Sequence, residues 1–191
     1  MILDILKHIN WIDILVVIIV FRVCYVSLVT GFTIELFKFL GTVFSIYLSL
    51  HYYTFISNII RDWLSSDKTA FGFIIPIIFL ILAILGYLIF SLLRKLIFRF
   101  IKMEAASGLN KWGGLVIGIF RSVLLAGLIV VTLLVSGLPY FNASVKNSYL
   151  GLRFSAIAPA TYTFIWNGFA QKFFPDEKFN KEVLKLTEKL S

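Results

Sequence analysis

Residues 11–50, WIDILVVIIVFRVCYVSLVTGFTIELFKFLGTVFSIYLSL, decide the fold. They hold one apolar run, 11–30, and most of a second, 32–56, with Gly31 between them. At ~1.5 Å of rise per residue, each run as a helix crosses a hydrocarbon core of about 30 Å. Thr30-Gly31 is the only turn on offer, and glycine takes the left-handed backbone that a tight reversal needs. The reading is a helical hairpin with almost no loop.

Two more runs follow, 70–93 and 112–136. The third contains Pro76 near one end, a helix interruption that a membrane span tolerates. The chain is therefore expected to be an all-α membrane protein with four transmembrane helices. Composition agrees. Hydrophobic residues make up 60% and charged residues 15% of 191, and mean hydropathy is +0.94, where a soluble domain is about a quarter charged. Residues 1–136 read as a four-span membrane module and 137–191 as an extramembrane or interfacial tail. Little chain remains for a separate soluble enzyme.

The formal charge of +8 is distributed between spans, which suits anionic lipid headgroups and excludes nucleic acid as a partner. Arg94, Lys95, Arg99, Lys102 and Lys111 oppose a single Glu104 between the third and fourth runs. The positive-inside rule puts that loop in the cytoplasm, so Gly31 lies at the cytoplasmic face and both termini lie outside. Lysines of the tail pull the other way, but they sit far from the last span, where the rule weakens. The first run is longer than a signal-peptide core and Arg22 interrupts it, so no cleavage is expected. Cys24, the one cysteine, reads as a small apolar filler. It leaves no disulfide framework and no cysteine metal site.

The tail has two parts. Residues 149–171 are apolar but interrupted by Arg153, Pro159 and Asn167, and read as interfacial or as a fifth span. Residues 176–190 read as an amphipathic helix, with Phe179, Val183, Leu186 and Leu190 on one face and Asp176 and Glu177 at its N-terminus. That face suits packing on the membrane, on the chain's own bundle, or on a partner.

Small residues form two stripes. Gly114, Gly118, Ser122 and Ala126 repeat every four residues in the fourth run, and Gly41, Ser45 and Ser49 do so in the second. Such stripes let helix backbones approach closely, within one chain or between two copies. Charges inside the spans form the candidate site. Arg22 is ~13 Å above the Gly31 level, Glu35 ~6 Å, Lys38 ~10 Å, and Arg121 ~13 Å above Trp112. Three cations and one carboxylate thus share a slab, and Glu35 can bridge Arg22 or Arg121. Membrane-embedded charge is expensive, so it marks either a pairing within the bundle or a functional site, here for an anionic headgroup or small anion. Asp13 lies at the far end of the first span, and His51 near the outer end of the second, where interface chemistry explains it.

Trp11-Ile12-Asp13, the unbroken run to Gly31-Phe32, and Glu35 resemble the colicin V production protein (CvpA-like) family. So does the segment with Asn110, Gly113-Gly114, Gly118, Phe120, Arg121 and Leu124, and more faintly Lys146-Asn147-Ser148-Tyr149. The resemblance covers Trp11 to Tyr149. The family usually has a basic residue where Thr30 stands, often an acidic one at Asn110 and a glycine at Ser122. The motif positions carried over are Asp13, Gly31, Glu35, Gly114, Gly118 and Arg121. The resemblance implies a bacterial inner-membrane protein linked to production or export of a secreted toxin peptide and to envelope upkeep.

No catalytic motif is present: no Gly-x-Ser-x-Gly, no His-Glu-x-x-His, no Walker sequence. No catalytic residue, metal ligand or cofactor is expected. Two readings remain. One is a non-enzymatic scaffold or accessory with an envelope or secretion protein as partner, and with self-association through the fourth span. The other is a small oligomeric transporter or anionic-lipid-handling protein using Arg22, Lys38 and Arg121.

Overall fold

The computed structural model describes residues 10–64, 68–100 and 107–188. Four long helices are present: α1 (Trp11–Thr30), α2 (Phe32–Leu64), α3 (Lys68–Phe100) and α4 (Ser107–Val135). All four are long and apolar enough to cross a membrane, and no strand occurs among the described residues. Shorter helices follow: α5 (Pro139–Lys146), α6 (Tyr149–Ser155) and α7 (Ile157–Ile165). A π-helical turn (Trp166–Ala170) then leads to α8 (Gln171–Phe173), and α9 (Glu182–Glu188) ends the described chain. α3 runs on through Pro76.

The reversal between α1 and α2 is one residue long. Gly31 has φ 81° and ψ 165°, a conformation that residues with a Cβ avoid. Asn110 of α4 completes the corner. Its Oδ1 accepts the Phe32 N–H at 2.7 Å, one of the first-turn donors that a helix leaves unpaired. The Asn110 side chain fills the space that a Cβ on residue 31 would need.

α1 does not lie along α2. Beyond the corner its long partner is α4, and α2 pairs with α3 and α4. The fourth-span stripe explains the α1–α4 seam. A Cβ on Gly114 would stand 2.9 Å from the Gly31 carbonyl carbon and from the Ser27 oxygen. One on Gly118 would collide with the Ser27 side chain. Ser122 lies against Cys24, their Oγ and Sγ atoms 4.0 Å apart, and Ala126 packs with Ile12 and Val16. The second-span stripe faces α3. Gly41 lies against Phe90, and Ser45 against Gly86, where a Cβ would meet Ser45 backbone at 2.8 Å. Ser49 is buried and donates to the Ser45 carbonyl.

The tail closes over the end of the bundle remote from Gly31. Ala158, Tyr162 and Val183 share one apolar core with Ile46, Leu50, Phe79, Leu128 and Val131. Residues 149–171 form short helices packed on α1, α2 and α4. The C-terminal helix is shorter than the spacing predicts. It begins at Glu182, and Asp176 and Glu177 lie in a turn. Asn180 sets the start: its Oδ1 accepts the Glu182 N–H at 3.2 Å, while its side-chain NH2 donates to the Leu50 carbonyl at 2.7 Å. The apolar face is nevertheless used, with Val183 buried and Phe179 and Leu186 packed against the core. Leu190 lies outside the described residues.

Candidate functional site

Glu35 sits in the first turn of α2, where the positive end of the helix favours a carboxylate. It is fully buried. Lys38, one turn on, places Nζ 2.7 Å from Glu35 Oε1, and the Thr30 hydroxyl lies 2.5 Å from the same oxygen. α4 brings Arg121 from the other side, with Nη1 3.1 Å from Oε2. The Arg121 contact is a close charge pairing rather than an aligned hydrogen bond, because Oε2 has no hydrogen-bond partner among the described residues. Arg121 is itself buried, and its Nε also lacks a partner among the described residues.

Of the four slab residues, the structure therefore brings together Glu35, Lys38 and Arg121. Arg22 is exposed on α1 and does not join them. The cluster holds two cations and one carboxylate, a net charge of +1. In a low-dielectric interior, pairing of this kind offsets much of the desolvation of its members, and an unmatched charge remains costly.

Between α2, α3 and α4 lies a cavity of about 300 Å³. Arg121 forms part of its wall together with Thr42, Ser45 and Thr132. The remaining lining includes Leu80, Ile84 and Leu88, about half exposed on the outer face of α3.

Asp13 is a junction at the opposite end of α1. Its Oδ2 accepts the Asn10 N–H at 3.1 Å, closing a capping box with the Asn10 side chain. Its Oδ1 accepts the Ser148 hydroxyl at 2.7 Å and the Leu150 N–H at 2.8 Å. One carboxylate thus caps α1 and holds the start of α6.

Sequence reasoning missed a second polar group. His51 is buried, not interfacial in its contacts. The Tyr162 hydroxyl accepts the Asn180 N–H at 3.0 Å, which leaves its proton for His51 Nδ1 at 2.9 Å. That assigns the imidazole proton to Nε2, which faces Glu177 Oε2 at 2.9 Å. Tyr52 donates to Glu177 Oε1 at 2.6 Å. Burial pushes the Tyr162 phenol pKa up, so it stays protonated and keeps this role. The spacing alone makes Glu177 only a helix-start residue. The available signal was the pairing of an in-span histidine with a tail carboxylate. Among the described residues, no three His, Cys, Asp or Glu side chains gather in a way that could hold a metal ion.

The family model described as colicin V production protein matches residues 12–159. The match takes in the α1–α4 seam, the Glu35 cluster, the Asp13 junction and the start of α7. No curated protein and no solved structure matches the chain.

Proposed function

This chain belongs to the colicin V production protein family, and we propose that it acts as a non-enzymatic scaffold or accessory for producing or exporting a colicin V-like toxin peptide and maintaining the envelope. It resides in the bacterial inner membrane with both termini outside, and it engages an envelope or secretion protein. The observation that carries this reading is where the embedded polarity goes. Glu35 answers Lys38 and Arg121, the fourth-span stripe receives α1, and Asp13 holds the tail. Each is absorbed in joining one part of the chain to another. A second reading, an oligomeric transporter or lipid-handling protein, is favoured by the cavity beside Arg121. Self-association through the fourth span would use the exposed Trp112, Val116, Ile119 and Phe120, since the small residues already face α1.

Toxin-peptide secretion separates the two. In a strain whose own copy is deleted, Glu35→Gln is expected to abolish secretion by leaving Lys38 and Arg121 unmatched, whereas Arg121→Gln leaves the Glu35–Lys38 pair balanced and is expected to keep it. An Arg121→Gln variant that is inserted at normal levels yet secretes nothing would overturn the scaffold reading and support the second.

A further inference from the structure

The geometry points to a binding site for a single-chain carboxylate amphiphile, such as a fatty acid, in the cavity between α2, α3 and α4, with its head on Arg121. Three observations converge there. The first is charge. The Glu35 cluster carries one cation more than it has carboxylates, and Arg121 within it is 7% exposed with an unpartnered Nε. A buried guanidinium N–H without an acceptor is costly, and an anionic oxygen satisfies it with a charge-assisted hydrogen bond.

The second is the donor count. The hydroxyls of Thr42, Ser45 and Thr132 donate to carbonyls of their own helices, Lys38, Gly41 and Leu128. Besides Arg121, the wall's remaining side-chain donor is the Tyr87 hydroxyl, so an incoming head meets few donors. That suits a compact carboxylate and starves a phosphate, which has more oxygens to satisfy. The third is shape and access. The volume of about 300 Å³ lies at the small end of ligand pockets, and it suits one chain rather than a two-chain phospholipid. Most of the lining is apolar, and Leu80, Ile84 and Leu88 sit at its outer side on the face that the bundle turns to hydrocarbon. An occupant enters from the bilayer, head first.

The site goes beyond the scaffold reading and does not depend on it: toxin secretion can continue in a variant that has lost the ligand. The test is native mass spectrometry and titration of the delipidated full chain in a neutral detergent, with oleate as probe and oleyl alcohol and inorganic phosphate as controls. One oleate per chain is expected. Arg121→Gln and Ile129→Trp should each weaken it by at least about tenfold, as loss of a charge-assisted bond or of the cavity predicts. Ile129 lines the cavity about two helical turns beyond Arg121, so this variant keeps the test valid if Arg121→Gln fails to fold. Oleyl alcohol binding as tightly as oleate would overturn the proposal. So would phosphate binding that depends on Arg121, or oleate binding unchanged in Ile129→Trp.

Discussion

Glu35 has two cations to answer and is fully buried, so its removal should be felt far beyond one hydrogen bond. Glu35→Gln is expected to lower stability by about 3–5 kcal/mol, read from unfolding of the purified protein in detergent. A loss below about 1 kcal/mol would mean that the pairing is solvated and weak. Glycine positions give a sharper contrast. Gly114→Ala should cost about 1–3 kcal/mol, because the new methyl meets backbone at 2.9 Å and backbone cannot swing aside. Gly168→Ala meets nothing within 4 Å and should change stability by under about 0.5 kcal/mol; equal effects would contradict the seam. Much of this was legible in the sequence. Depth arithmetic gave Glu35, Lys38 and Arg121 a common height. It gave no azimuth, and α1 is apolar on every side, so nothing in the pattern said that Arg22 turns outward while Ser27 turns in.

The helices were legible because long apolar runs with a glycine break have few alternatives in a membrane. Their pairing was less so. A small-residue stripe announces a close approach but not the partner, which is identified by contacts such as those of Ser27 in α1 and the corner residue Gly31 with Gly114 and Gly118. Gly86, the counterpart of Ser45, escaped notice because it stands without small residues at four-residue spacing. The tail was the least legible element. Its helix start depends on Asn180 reaching the Leu50 carbonyl across 130 residues, a long-range contact that local spacing does not encode. Asn180→Ala should remove both the cap and the tether. Limited trypsin digestion should then cut at Lys178 and Lys181 faster than in the parent protein. An unchanged cleavage rate would show that the apolar face of α9 alone holds the tail in place.

At the scale of the whole molecule, the basic end of α3 around Arg94 and the tail lie at opposite ends of the bundle, with Gly31 and Asn110 near the first and Asp13, His51 and Asn180 near the second. If the basic loop is cytoplasmic, a reporter fused after residue 188 should be active only outside the inner membrane, and cytoplasmic activity would reverse the proposed orientation. The central claim is that α1 lies on α4 and that this fixed bundle suffices for the protein's role. Cys24, the chain's single cysteine, supplies the most direct test, because its Sγ lies 4.0 Å from Ser122 Oγ. A Ser122→Cys substitution places a second thiol beside it, within a small side-chain rotation of disulfide geometry. Oxidation of membranes carrying this variant is predicted to form the bond within one chain, seen as a reducible mobility shift of the monomer, and the oxidised cells should still secrete the toxin peptide. A bond formed only between two chains would contradict the placement of α1 on α4. Secretion lost on oxidation and regained on reduction would contradict a role that needs no helix movement.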